Sequence, residues 1–249
     1  MKQKIFFLAV VLFLPILLFG LTNTASAQFD YSGSIDLNGN ADGYLQGTGS
    51  WNDTGPTSLS WNVTWGGGVN DLVHYSYSFM VNQHDISHFT LELSDSFSSS
   101  DITNIMINGS SASAGDWDIS PYTGGVAPHN TMPGDLYGIK FDTNESLTAT
   151  IEFDSTRLPE WGDFYARCGS RTEHENGTKA WNAAWNTGFA SGETSGAGND
   201  PTMMAASSGS YQNHILVPDT VVVPEPVSST LFIIGSGLFA GRRYIRRKK

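Results

Sequence analysis

Cysteine and positive charge are both scarce in this sequence. Cys168 is the single cysteine in 249 residues, so no internal disulfide can form. Between Gln28 and Val223 only Lys140, Arg157, Arg167, Arg171 and Lys179 are basic, against twenty-three acidic residues, a net charge of −18. A body that acidic repels nucleic acid and anionic lipid, which excludes nucleic-acid binding. No G-x-S-x-G elbow, phosphate-binding glycine loop or paired-cysteine metal site is present, and no stretch of the body has the periodicity of an amphipathic helix. The 196 residues from Gln28 to Val223 are enough for one domain to bury a core without cross-links. Cys168, in "FYARCGS", therefore reads as a small buried apolar side chain rather than a reactive thiol.

The missing positive charge sits at the two ends. Lys2 and Lys4 precede the apolar run Ile5–Leu21, which is followed by Ala25-Ser26-Ala27. A basic start, an apolar stretch and a small-x-small site describe a secretory signal over residues 1–27, with Ala25 and Ala27 marking the cut by signal peptidase. The alternative is an uncleaved anchor, but no stop-transfer pattern follows Ala27. No cysteine lies near the cut, which argues against a lipoprotein. At the other end an apolar segment, 227–240, contains Ser228, Ser229, Thr230 and Ser236 and precedes a basic tail, 241–249. Fourteen residues of helix span about 21 Å, short of the roughly 30 Å hydrocarbon core. The expected organisation is a signal peptide (1–27), an acidic domain (28–219), and a linker with a C-terminal sorting or transmembrane segment (220–249).

Within the body, apolar residues recur every second position. Leu59, Trp61, Val63 and Trp65 form one set; Val73, Tyr75, Tyr77, Phe79 and Val81 a second; Phe89, Leu91 and Leu93 a third; Leu147, Ala149, Ile151 and Phe153 a fourth. Strict alternation buries one face of an antiparallel strand and wets the other. Clusters such as "NDTGPTS" and "WGGGVND" supply turns between them. Shorter candidate strands are Ile102–Ile107, Leu136–Phe141, Phe164–Arg167 and His214–Val217. The fold class is therefore all-β, a single antiparallel β-sandwich of jelly-roll type. "SWNDT" at Ser50–Thr54 returns as "SWNVT" at Ser60–Thr64, which suggests a hairpin turning at Asn52–Thr57 with Trp51 and Trp61 on its arms. The Gly-, Ser- and Ala-rich stretch 188–210 reads as a long loop.

Four places could carry chemistry. In "EFDSTR", Glu152 and Asp154 share one face of a strand, resembling the nucleophile and assistant of laminarinase-type retaining glucanases. Those enzymes carry their general acid where this chain has Arg157, and retaining hydrolysis needs two carboxyl groups about 5–5.5 Å apart. The plain alternative is the polar outer face of that strand. His84 and His88 in "HDISH" lack the intervening glutamate of a zinc-protease helix and read as turn residues. Asp36, Asn38, Asn40 and Asp42 in "DLNGNADG" offer alternating oxygen ligands of the kind calcium takes, but Ala41 and Gly47 stand where an EF-hand loop needs Gly and Glu. A solvated hairpin turn is the competing reading, so calcium is the one cofactor candidate and otherwise none is expected. Trp117, Trp181 and Trp185 fall in loop-like sequence and are the candidate glycan contacts.

The C-terminus carries the sharpest signal. "VPEP" with Pro224, Glu225 and Pro226, then the apolar segment, then "GRRYIRRKK" with Arg242, Arg243, Arg246 and Arg247, resembles the PEP-CTERM sorting signal of Gram-negative bacterial surface proteins. The resemblance covers about the last twenty-seven residues and implies recognition by a membrane-embedded exosortase in cells that make exopolysaccharide. Membrane association would then be transient, with the arginines held in the cytoplasm; a plain C-terminal anchor is the alternative. "WGDFYARCGS", "AAWNTGF" and "HILVPDT" further resemble the end of many passenger domains bearing this signal. The function expected is a non-enzymatic protein of the cell surface or extracellular matrix, associated with exopolysaccharide. A carbohydrate-binding module and a glycoside hydrolase are the alternatives.

Overall fold

Two-residue alternation becomes strand after strand. The computed structural model describes residues 28–52, 55–66, 71–125, 131–173, 179–190 and 213–220. One six-stranded sheet runs β1 (Phe29–Asp36), β3 (Ser58–Trp65), β4 (Val73–Met80), β10 (Thr148–Ser155), β6 (Ile102–Ile107) and β7 (Ser110–Ser111) in spatial order. The second runs β2 (Leu45–Thr48), β13 (Lys179–Asn186), β12 (Phe164–Glu173), β5 (Ile86–Glu92), β9 (Leu136–Ser146) and β8 (Trp117–Tyr122). A two-stranded ribbon pairs β11 (Leu158–Gly162) with β14 (Ile215–Thr220). Every one of these strand pairs is antiparallel. Among the described residues helix is confined to short turns, Thr187–Ala190 being α-helical.

The core lies between the two large sheets. From the first come Tyr75, Tyr77, Phe79 and Phe153, and from the second Phe89, Phe141 and Phe164, all fully buried. Their rings meet across the gap: Phe79 lies 6.2 Å from Phe89 and 5.8 Å from Phe164, and Phe141 lies 5.9 Å from Phe153. Each such ring contributes about 1.5–3 kcal/mol by leaving water.

The alternating sets fall largely as expected. Leu59, Trp61 and Val63 are buried, as are Val73 to Val81 at odd positions, and Phe89, Leu91 and Leu93. Ile102–Ile107 is β6, and the other three short candidates open or overlap β9, β12 and β14. Trp65 is only partly buried, and Leu147 is 44% exposed. Leu147 occupies the bend between β9 and β10, one residue before β10 begins, so strand parity does not reach it. Strands β2, β7, β8, β11 and β13 carry no clean alternation; β8 includes Pro121, tolerated because β8 is an edge strand.

Two local expectations are corrected. The tryptophan repeat is no hairpin: Trp51 sits in a 3-10 turn (Gly49–Asn52) after β2 of the second sheet, whereas Trp61 lies on β3 of the first. Gly49 takes φ +61 to make that turn, and Asn182 Oδ1 accepts the Ser50 N–H at 2.8 Å. Trp51 donates its indole N–H to the Gln83 carbonyl at 2.9 Å, so its ring is pinned under the β4–β5 connection rather than beside Trp61. Likewise the Asp36–Gly43 stretch is not a hairpin turn, since it carries the chain from the first sheet to the second. Of the expected long loop 188–210, residues 188–190 belong to the α-helical turn and the rest lie outside the described residues.

Residues 148 to 153 test this parity. Ile151 is buried, while its neighbour Thr150 is on the outer face of the first sheet. Ile151→Asp buries an unpaired carboxylate and is expected to unfold the domain or force protonation. Thr150→Asp should cost less than about 1 kcal/mol. Thermal melts of both variants decide it, and equal losses would refute the assigned faces.

Candidate functional site

Glu152 and Asp154 do project from one face of β10, the outer face of the first sheet. Glu152 is exposed and stands in register with Ser76 of β4 and Met106 of β6. Asp154 is already engaged: His74 Nδ1 lies 2.9 Å from one oxygen, and Asn104 Nδ2 donates to the other at 2.7 Å. A register shift between β10 and β6 at this point, with Asn104 at φ +54, aims that amide at the carboxylate.

Arg157, at the position of the glucanase acid, turns inward and is buried. Its Nε lies 3.2 Å from Asp101 Oδ1, and one terminal nitrogen donates to the Ser96 carbonyl at 2.6 Å and to Asp101 Oδ2 at 3.2 Å. The other terminal nitrogen reaches Ser96 Oγ at 3.2 Å and the Asp219 carbonyl at 3.4 Å, and the guanidinium lies over the Phe97 ring. One side chain thus ties the segment before β6 to the last strand. Burial pushes the Asp101 carboxyl up, but bonds from Arg157, Ser98 and Thr156 outweigh it and hold the group below its ordinary value.

A second polar centre is wholly interior. Asp163 Oδ1 accepts from Asn186 Nδ2 at 2.6 Å and lies 2.7 Å from His214 Nδ1. Asn186 Oδ1 accepts the Phe164 N–H at 2.8 Å, and Glu92 Oε2 accepts the Asp163 N–H at 2.9 Å. Asp163, Asn186 and His214 are each at most 3% exposed, so the cluster is closed to a substrate and works as a joint. It also unites "WGDFYARCGS", "AAWNTGF" and "HILVPDT", three segments far apart in sequence. The signal available beforehand was a single Asp, Asn and His set among apolar strand residues. Above it, Tyr77 donates its hydroxyl to the Leu216 carbonyl at 2.7 Å and Tyr75 to the Arg157 carbonyl at 3.0 Å. Burial raises the pKa of both phenols well above the ordinary value.

The tryptophans separate. Trp181 and Trp185 lie four residues apart on β13 with the same parity, on the face of the second sheet turned away from the core. Arg167 stacks on the Trp181 ring, 3.8 Å from its centroid. Trp185 packs with Met132, Leu136, Tyr165 and Ala183 in a satellite cluster. Trp117 is in register with Phe141 on the core side of β8 and packs against the main core, so it does not join them.

In the calcium candidate, Asp36 Oδ1 accepts the Asn38 and Asn40 N–H groups at 2.8 and 3.0 Å, and Asp42 Oδ2 accepts the Ser34 N–H at 2.9 Å. These oxygens hold the loop's own backbone. Among the described residues no group of three His, Cys, Asp or Glu is placed to hold a metal. The histidines are corrected too: His84 sits in a turn at φ +59, but His88 belongs to β5, opposite Arg167 and Asp142. Cys168 is buried against the core. Ala25, Ala27, Pro224, Glu225, Pro226, Arg242, Arg243, Arg246 and Arg247 lie outside the described residues, as does the apolar segment 227–240. No helix among the described residues is long and apolar enough to cross a membrane. Comparison with models of protein families, with curated proteins and with solved structures found no match.

Arg157→Met removes a buried guanidinium and leaves Asp101, only partly buried, with its Ser98 and Thr156 bonds alone. It should cost about 1–3 kcal/mol in a urea melt. The Asp101 pKa is depressed on folding, so its contribution is present above the ordinary value of 3.8 and is lost as pH falls through the lower folded value. Asp101→Asn should flatten the acid limb of the stability profile; an unchanged limb would refute the pairing.

Proposed function

We propose that this protein is an exported, non-enzymatic component of the cell surface or extracellular matrix, built as a jelly-roll-type sandwich and sorted through its C-terminus by an exosortase-type enzyme. The observation that carries the reading is the use made of Arg157. Where a glucanase-like site would need a proton donor, this chain has a buried guanidinium bonded to Asp101, Ser96 and Asp219. Glu152 then has no acid across from it, and Asp154 is held by His74 and Asn104. A leaving group would find no donor there.

The address rests on sequence. The last described strand ends at Thr220, and Pro224 follows four residues later. A short apolar segment and a basic tail suit a signal that holds the precursor in the membrane until it is processed. Signal peptidase acts at the other end and exopolysaccharide is the surrounding material. Intact-mass measurement on surface-derived protein should give a chain that begins at Gln28 and lacks Arg242–Lys249. A species retaining that tail as the sole form would instead leave a plain membrane anchor.

A second reading, glycan binding, is favoured by the pairing of Trp181 and Trp185 on one sheet face. Trp181 is only partly buried, whereas Trp185 is buried beneath the same face. Aromatic faces stack on sugar rings. On a glycan array the purified body should bind sugar, with Trp181→Ala weakening it about tenfold, the equivalent of one aromatic contact. Unchanged binding in that variant would sink the assignment of the face. Release of reducing ends would overturn the non-enzymatic reading itself.

A further inference from the structure

The described residues contain two Asn-Gly steps, Asn38-Gly39 and Asn108-Gly109, and the fold treats them oppositely. Asn-Gly is the sequence in which a backbone nitrogen most readily attacks a side-chain amide, because glycine has no Cβ to obstruct the approach. Both glycines take positive φ, +64 at Gly39 and +75 at Gly109, so both steps lie in tight turns.

Asn108 and Gly109 form the two-residue turn of the β6–β7 hairpin, both at positive φ, as a type I′ turn requires. The Asn108 amide is clamped at both ends. Its Nδ2 donates to the Thr143 carbonyl at 2.7 Å, and its Oδ1 accepts the Thr150 N–H at 2.9 Å. To reach the Gly109 nitrogen, the carboxamide would have to break both bonds.

Asn38 has no such clamp. Its residue is exposed, and its bond is from the backbone N–H to Asp36 Oδ1, leaving the side-chain amide without a partner among the described residues. The Gly39 N–H makes only a long contact, 3.4 Å, to the Asp36 carbonyl. The nucleophile and the amide are both available.

We propose that Asn38 is a modification site at which the folded protein deamidates, and that the fold protects Asn108 from the same reaction. Base removes the Gly39 amide proton, and the nitrogen bonds to Asn38 Cγ. Water returns a proton to Nδ2 as the Cγ–Nδ2 bond breaks, so ammonia leaves, hydroxide is regenerated and a cyclic imide remains. Water opens the imide at either carbonyl, giving aspartate or isoaspartate at position 38. One water is consumed for each ammonia released, and nothing is oxidised or reduced.

The consequence is local and physical. Either product places a third carboxylate beside Asp36 and Asp42. Isoaspartate also lengthens the backbone between the N–H groups of residues 38 and 40, which now converge on Asp36 Oδ1. One carboxylate oxygen cannot hold both after that insertion, so the link between the two sheets loosens at this point. In a long-lived extracellular protein such conversion accumulates with age. The inference itself does not depend on where the protein resides.

The test is peptide mapping by mass spectrometry of the purified folded body, incubated warm at mildly alkaline pH. The Asn38 peptide should show the amide-to-acid mass shift as two isomeric products. Two clamping hydrogen bonds of ordinary strength should make Asn108 about tenfold or more slower. In urea the two rates should converge as the clamp is lost. Asn38→Gln should abolish the shift in the first peptide, which separates Asn38 from Asn40. Equal rates at Asn38 and Asn108 in the folded protein would overturn the proposal. So would conversion at Asn38 only after unfolding, or a shift that persists in Asn38→Gln.

Discussion

The aromatic layer between the two sheets is the interaction on which the rest of the molecule depends. Tyr75, Tyr77, Phe79 and Phe153 from one sheet meet Phe89, Phe141 and Phe164 from the other, all fully buried. Neither sheet could hide its apolar face alone, and with a single cysteine no disulfide joins them. Tilted and stacked ring contacts at 5.2 to 6.2 Å supply the cohesion instead. The outer face of the first sheet is consequently free to be polar, and Ser60, Asn62, Ser76, Ser78, Thr150 and Glu152 share it.

Two polar joints then fasten the last strand. Among the described residues β14 pairs only with β11, so backbone bonding alone would hold it weakly. Arg157 reaches the Asp219 carbonyl, Tyr77 reaches the Leu216 carbonyl, and His214 meets Asp163 in the interior. Buried polar groups are costly unless satisfied, and each of these contacts doubles as satisfaction of its partner. Strand β14 and the preceding His214 are thereby locked to β11, to Tyr77 of β4, and to Arg157 and Asp163, which flank β11.

The residues that first suggest chemistry are spent on architecture. Arg157 and Asp154 are tied up in hydrogen bonds, and Asp36 and Asp42 organise their own loop. Trp181 and Trp185 share a sheet face, whereas Trp117 turns to the core. Their separation was not legible in sequence because β8 and β13 lack a clean two-residue alternation, so parity could not be read. Where alternation was strict, as from Val73 to Val81, burial follows it residue by residue.

By itself the sequence determined the all-β class, the inward face of β3, β4 and β10, and the acidity of the body. These are properties of neighbouring residues: period, composition and order along the chain. Only the tertiary structure decided which strands pair, that Trp51 and Trp61 belong to different sheets, and that Asp163, Asn186 and His214 meet. It also decided that Asn108 is clamped while an identical Asn-Gly step at Asn38 is open. Asp163, Asn186 and His214 are tens of positions apart, as are Asn108 and its partners Thr143 and Thr150. Local propensity carries no information about such distant partners; packing the two apolar faces together is what selects them.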